Sequence, residues 1–324
     1  MNKKLPNISV IIAAYNVAGY IGETLASVFA QTAGDYEVIV INDGSQDVEE
    51  LAAALAPYRD SIVYLSQKNR GLAAARNVGL RAAQGRYVAF LDADDLWEPE
   101  FLREQCEHLE RGPYDLVYAD ARLFGDPMFA GRTFMEIAPS VGEVTFETLM
   151  AGHCNIIGSA VVARRESLFE AGLFDETLRN AQDFDLWIRM ALRGARLGYQ
   201  RKILARYRYR EGSLSGDAVN RVNRELRVFQ KVLTTYDLTR EQRTQVDLAI
   251  RISTRELNLV QGKEQLDQRE FDKARASFRE ADVLRPSLKL KLVRLILLIS
   301  PNLLRRSTSL AARWRLLLRS AIAR

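Results

Sequence analysis

Through the first third of the chain, short apolar runs alternate with polar, helix-forming stretches. Ile8–Ala14, Glu37–Ile41, Ile62–Leu65 and Tyr87–Leu91 are runs of strand length, near-continuous as in strands buried on both faces. Between them Ile21–Gln31, Val48–Pro57 and Leu72–Ala83 carry helical patterns, the last stopped by Gly85. This βαβαβαβ order predicts an α/β domain with a mixed, mostly parallel sheet flanked by helices. Tyr114–Phe124 and Ser159–Arg164 read as further strands, Gly125–Pro139 as a long loop, Asp183–Leu192 as a helix and Arg201–Arg210 as an extended segment.

From about Asn220 the pattern becomes nearly continuous helix, so an α-helical C-terminal region follows. Within it Asn258–Pro286 fits tetratricopeptide spacing, with Gly262, Ala274, Phe278, Ala281 and Pro286 in register. One such unit cannot bury its face alone, so a hairpin docked on neighbouring helices is expected. The expected boundaries are 1–216 for the α/β domain, 217–286 for the helical region and 287–324 for a basic amphipathic tail.

Charge sharpens this division. The chain has 46 basic and 41 acidic residues, a formal charge of +5. Nine of the basic residues, and no acid, lie in Ser287–Arg324, leaving 37 against 41 elsewhere. The positive charge is a property of the tail, and nucleic acid is not an expected partner of the main body. Leu288–Ile299 and Leu303–Leu318 mix leucines with basic residues around Pro301. That composition suits helices lying in the headgroup region of an anionic membrane, or helices packed on protein. Cys106 and Cys154 fit no ligand spacing and read as free thiols of a reducing compartment. Lys3 and Lys4 before Ile8–Ala14 imitate a short signal peptide, but Tyr15 and Asn16 end the run without a cleavage site, which favours a first strand. No run of about 18 apolar residues predicts a membrane-spanning helix. A cytoplasmic protein, peripheral on the inner face of the membrane, is the expectation.

Candidate chemistry gathers at strand ends. Asp92, Asp94 and Asp95 directly follow the fourth strand, where open α/β sheets bind ligands. Carboxylates this close repel one another unless a hard divalent cation neutralises them, and phosphate is the natural partner of such a cation. Asn42, Asp43, Gly44 and Ser45 end the second strand; Asp43 can accept from a base N–H or ribose hydroxyls, or the turn can simply cap the next helix. Ala13 and Tyr15 end the first strand, Tyr15 as a base-flanking ring or an ordinary rim aromatic. Arg76 and Asn77, early in the alanine-rich helix, can reach the same crevice, whereas Arg70 lies off that helical face.

Together ISVIIAAYN, VIVINDGS, KNRGLAAARNVGL and GRYVAFLDADDLW resemble family 2 glycosyltransferases of the GT-A (Rossmann-like) fold. The likeness runs from about Asn7 to Ser215, and GSAVVARRESLFEAGLFDE and AQDFDLWIRMALRGARLGY resemble the family's acceptor half. It implies inverting transfer of a sugar from a nucleotide-diphosphate donor, by default a UDP-sugar, with Mn²⁺ or Mg²⁺. It puts the nucleoside against Ala13, Tyr15 and Asp43 with Arg76 nearby. Asp92 would face the ribose and share the metal, Asp94 would hold the metal, and Asp95 would support that shell or orient the donor sugar. The family's catalytic base follows a Glu at a helix start; here the pair is Gln182-Asp183, so the base falls to Asp183, whose plainer role would be a helix cap. Asn42 replaces a common Asp, and Arg210 stands where many relatives carry a metal-binding His; Arg210 can pair with the diphosphate but cannot ligate a cation. A glycan or lipid-linked acceptor is implied. A nucleotidyltransferase, or a catalytically silent scaffold with a partner-binding helical tail, would share some of these features.

Overall fold

The computed structural model describes residues 5–127, 129, 131–210 and 218–301. Its first unit, Met1–Gly216, opens with β1 (Ile8–Ala14), α1 (Ala18–Phe29), β2 (Tyr36–Asn42), α2 (Val48–Leu55), β3 (Val63–Ser66), α3 (Leu72–Ala82) and β4 (Tyr87–Asp92). It continues through β5 (Leu96–Trp97), α4 (Phe101–Arg111), β6 (Leu116–Phe124), α5 (Phe134–Ile137) and α6 (Phe146–Met150). The short strand β7 (Val161–Arg164), α7 (Arg165–Glu170), α8 (Gln182–Leu192) and β8 (Leu197–Arg208) complete it.

The strands form one mixed sheet in the order β3-β2-β1-β4-β7-β6-β8-β5. β3, β2, β1 and β4 run parallel, as do β6 and β8; β7 is antiparallel to both its neighbours. Strand order reverses between β1 and β4, which is where sheets of this kind bind ligands. Ala13 pairs with Asp92 and Ala14 with Asn42, so three strands end level at that crevice. Because β7 runs against β4, the turn that enters it, Gly158–Ala160, lies beside the Asp92 end. Likewise β5 pairs antiparallel with β8, returning Arg208 and Arg210 to the carboxylates.

Successive residues of β1 serve opposite faces. Val10 and Ile12 join a core with Ile21, Leu25, Leu51 and Phe101 of α1, α2 and α4. Ile11 joins another with Ala73, Ala75 and Leu80 of α3 and Leu186 and Trp187 of α8. Each such fully buried aliphatic side chain contributes about 1.5–3 kcal/mol. α3 lies close to the sheet because Ala73, Ala74, Ala75 and Gly79 are small and buried. A Cβ on Gly79 would fall 2.6 Å from Ile11 Cγ2 and 2.9 Å from Ile41 Cδ1.

Three details depart from the sequence pattern. The helix expected over Val48–Pro57 ends at Leu55 and tightens into a 3₁₀ turn, Ala56–Ser61, with Pro57 at its start. The expected loop 125–139 contains the single turn α5, begun by a reciprocal cap between Thr133 and Glu136. The strand expected from Ser159 starts at Val161, after a 3₁₀ turn. Cys106 and Cys154 are buried free thiols, and burial pushes Cys106 up to about 12.

The second unit, Asp217–Arg324, contains α9 (Ala218–Thr235), α10 (Arg240–Asp267), α11 (Phe271–Leu284) and α12 (Leu288–Ile299). Its core unites Leu259, Leu266, Ala274, Phe278 and Ala281 with Leu290 and Leu297 of α12. A Cβ on Gly262 would meet the Phe278 ring at 2.8 Å, so glycine sets the approach of α10 and α11. Among the described residues no helix is long and apolar enough to cross a membrane. The expected helix Leu303–Leu318 lies outside the described residues.

Replacing Gly79 by Val should cost about 1–3 kcal/mol through overpacking against Ile11 and Ile41. Urea unfolding measures it; an unchanged midpoint would mean that the helix–sheet spacing is not set there.

Candidate active site

The three acidic residues after β4 point in different directions, each met by groups from another part of the chain. Arg76 of α3 donates from Nη2 to Asp92 Oδ1 at 2.6 Å. Its guanidinium is only 4% exposed and lies over the Phe90 and Phe174 rings, 5.9 and 5.4 Å from their centroids. Arg210 Nε donates to Asp94 Oδ2 at 2.9 Å. Arg208 donates from its backbone N–H to Asp95 Oδ1 and from Nε to the Asp94 carbonyl, each at 2.7 Å.

Asp95 differs from the other two. It is 1% exposed, and its second oxygen accepts from Ser159 Oγ at 2.5 Å. Burial, then the charges of Asp92 and Asp94, hold its carboxyl well above the ordinary carboxylate range. Expected to support the shell around Asp92 and Asp94 or to orient the donor sugar, Asp95 has both oxygens engaged inside the protein and ties β4 to Ser159 and β8. Asp92 and Asp94 keep 35% and 20% of their side chains exposed. Burial and Asp92 raise Asp94 against the opposing effect of Arg210.

Mg²⁺-type sites commonly use one or two carboxylates plus substrate phosphates rather than an all-protein cage. Asp92 and Asp94 fit that description: they are hard oxygen donors, partly exposed, side by side at one strand end. Among the described residues no group of three or more His, Cys, Asp or Glu forms a cage.

Ala13 is half-buried and Tyr15 is 44% exposed at the end of β1. The neighbouring turn is built firmly. Gly44 has φ +72°, and a Cβ there would come within 2.6 Å of Asn69 N. Asn42 accepts from Ser45 N–H and donates to Tyr64 OH, using the amide that a carboxylate would lack. Asp43 is buried and accepts from Gln67 Nε2 at 2.6 Å, Arg70 N at 2.9 Å and Gly71 N at 2.8 Å. Three acceptor positions of Asp43 therefore organise the entry to α3, leaving little of the carboxylate for a base or ribose. Asn77, expected to reach the crevice, is instead buried and stitched to Phe174 N and O and to Glu176 Oε1.

At the opposite wall, the pair Asp183 and Asp185 separates cleanly. Asp185 is fully buried and accepts from Arg189 Nε at 2.9 Å. Arg189 also donates to the carbonyls of Ala171 and Leu173, so this pair fixes the turn before α8. Asp183 is half-buried, and its Oδ1 accepts from Phe184 N–H at 2.8 Å. Helix α8 is entered through Ala181 in the left-handed region, φ 58°. Gln182 is buried, and its Oε1 has no hydrogen-bond partner among the described residues.

The two walls meet at residues absent from the sequence-derived set. A Cβ placed on Gly158 would lie 3.4 Å from both Arg76 Nη2 and Asp183 Oδ2. Next to it, Ser159 Oγ donates to Asp95, accepts from Asp92 N–H at 3.2 Å, and its carbonyl accepts from Trp97 Nε1 at 2.7 Å. The sequence carried one hint, a Gly-Ser pair just before an apolar strand. Arg208 was equally hidden inside a basic run.

Residues 9–169 match the family described as glycosyl transferase family 2. An uncharacterized glycosyltransferase of Rickettsia bellii is 32% identical over 213 residues, 63% of this chain and 30% of that protein. The chain spans only 30–35% of the length of three such rickettsial relatives. UDP-Glc:alpha-D-GlcNAc-diphosphoundecaprenol beta-1,3-glucosyltransferase WfaP of Escherichia coli is 27% identical over 227 residues, 69% of this chain and 86% of that protein. The fold is similar to that of mannosyltransferase PcManGT from Pyrobaculum calidifontis, solved in complex with GDP-Man and Mn²⁺. The TM-score is 0.65 at 18% identity, covering 99% of this chain and 86% of that one.

Asp185→Ala should cost about 3–5 kcal/mol, because it strands the Arg189 charge in the interior. Asp183→Ala should cost less than about 1 kcal/mol. Equal losses in urea unfolding would contradict this division between the two aspartates.

Proposed function

This chain belongs to glycosyltransferase family 2, and we propose that it moves a sugar from a nucleotide diphosphate, by preference a UDP-sugar, to an acceptor hydroxyl with inversion. One observation carries the reading: Arg76, which holds Asp92, and Asp183 both face Gly158 across one crevice. A carboxylate suited to proton removal therefore stands opposite the carboxylates suited to a donor diphosphate.

In this reading Asp183 takes the proton of the attacking hydroxyl as general base. Asp92 and Asp94 hold Mn²⁺ or Mg²⁺, which when bound stabilises the departing diphosphate as a Lewis acid. Arg76 and Arg210 keep those two carboxylates in place and lend positive charge to the same region. Tyr15, exposed at the end of β1, flanks the base, and Ala13 leaves room for the nucleoside. Asp43 contributes by fixing the 67–71 segment, with any direct contact to the nucleoside confined to its remaining acceptor position. The acceptor is a glycan or lipid-linked saccharide in polysaccharide or glycolipid synthesis, as the name of the Escherichia coli relative suggests. A lipid-linked acceptor would place the protein on the inner face of the cytoplasmic membrane.

A thermal-shift panel of nucleotide sugars with and without Mn²⁺ identifies the donor. At a hundred times Kd a ligand adds about 2.7 kcal/mol, so one donor should raise Tm by several degrees, and more with Mn²⁺ than without. No stabilisation by any nucleotide sugar in the presence of Mn²⁺ would favour a scaffold. Asp183→Asn should lower kcat by roughly 10²–10⁴-fold while the donor-induced shift persists. Near-normal transfer by this variant excludes Asp183 as the base, and a nucleotide rather than a sugar on the product would indicate a nucleotidyltransferase.

A further inference from the structure

Helix α12 presents two opposite apolar sides. Leu290 and Leu297 are buried in the core of the second unit. Leu288, Leu292, Leu295 and Ile299 are spaced by four, three and four residues, so they share the other side. They are 85%, 57%, 51% and 76% exposed. Lys289 and Lys291 project on either flank of this stripe, as helical spacing requires. A side chain row of this kind is more apolar than a solvated helix face needs to be.

Beside the stripe, a cleft of about 370 Å³ is lined by Arg275, Lys291, Arg294, Leu295 and Leu298. Three cations converge there on two leucines. Arg294 donates to Asp282 Oδ2 at 2.8 Å, and Arg275 reaches Asp272 at 3.3 Å. Arg275 also donates from Nη2 to the Leu297 carbonyl at 3.5 Å, which ties this cation to α12. Beyond Pro301 the sequence adds Arg305, Arg306, Arg313, Arg315, Arg319 and Arg324 with no acidic residue.

We infer that this face of the second unit docks on an anionic phospholipid bilayer. The α12 stripe enters the headgroup–acyl boundary, and the Arg275–Lys291–Arg294 cleft receives a lipid phosphate. An anionic surface complements Lys289, Lys291 and Arg294, the charges of a helix that carries no acidic residue. The α12 helix is about 18 Å long at 1.5 Å per residue, too short to span a bilayer but sufficient to lie in its interface. The inference deepens the proposed membrane-side location and does not depend on the transfer chemistry.

Co-sedimentation with vesicles tests it without any sugar substrate. The full chain should bind vesicles containing phosphatidylglycerol and leave phosphatidylcholine vesicles in the supernatant. Leu292→Asp together with Leu295→Asp changes two exposed positions and should keep the circular dichroism and Tm of the parent. It should weaken vesicle binding at least about tenfold, the loss expected for one buried leucine. Arg275→Gln with Lys291→Gln should lower the preference for anionic over neutral vesicles. Several results would overturn the inference: no binding to anionic vesicles, or full binding by the aspartate variant. Binding abolished by removing residues 302–324 yet unaffected by both pairs of substitutions in α11 and α12 would assign the contact to the tail alone. Full competition by millimolar inorganic phosphate would make the cleft a site for a soluble anion. A change from dimer to monomer in the aspartate variant without vesicle binding would make the face a contact between copies. Donor-induced thermal shifts should survive in every α12 variant, so failure here and failure of the sugar-transfer reading are separable.

Discussion

Three aspartates within four residues at the end of one strand create a concentration of negative charge that the surrounding chain must answer. Asp92, Asp94 and Asp95 cannot all stay ionised in a partly buried crevice without partners. Arg76 arrives from α3, Arg210 and Arg208 from the end of β8, and Ser159 from the turn before β7. Each partner requires its own element to finish at one point in space. The antiparallel β7 and the β5–β8 pairing do this, since reversed strands bring their turns to the carboxyl ends of the parallel ones. The mixed sheet is therefore the arrangement that lets the acidic strand end exist with two of its three carboxylates still facing solvent.

Much of the first half of the sheet was legible because local patterns carry it. Apolar runs of strand length, separated by helical periods, gave β1, β2, β4 and α3 with small boundary shifts. Asp92 and Asp94 stood out because they follow a buried strand directly. Side-chain direction was less legible. Asp95 and Asn77 have the right chemistry beside the crevice, yet both are spent on long-range bonds to segments 64 and about a hundred residues away. Asp183 and Asp185 are two residues apart on a helix; Asp185 stands one turn before Arg189 and pairs with it, and the burial of that pair against the Ala171 and Leu173 carbonyls came only from the fold. Gly158 and Ser159 were visible only as a Gly-Ser pair before an apolar strand, because their importance lies in what the fold places around them.

The second unit follows a simpler logic. Gly262 removes a side chain where Phe278 must sit, so α10 and α11 pack face to face. Leu290 and Leu297 then cover the hairpin, as a single repeat needs, and α12 is left with an uncovered row on its far side. The expected tetratricopeptide-like spacing places Gly262 and Phe278 on adjacent helices, where they meet. The four-three-four spacing of one α12 stripe was readable, but which side packs inward was not, since leucines also stand on the opposite side at Leu290 and Leu297.

The Gly158–Ser159 turn has a bearing on how such proteins can be recombined. By chain order it belongs to the later half, with α7 and α8, but its bonds belong to the earlier one: Asp92 N–H, Asp95 and the Trp97 indole all end on Ser159. A chimera made by cutting the gene midway between β6 and β7 would import a foreign keystone beside the β4 carboxylates. A crossover placed after Ala160 would leave that keystone native and make Val161–Arg164 the seam, where backbone ladders rather than side chains carry the join. The natural seam of this fold thus lies after the 3₁₀ turn, at the start of β7, and not within the long connection from β6.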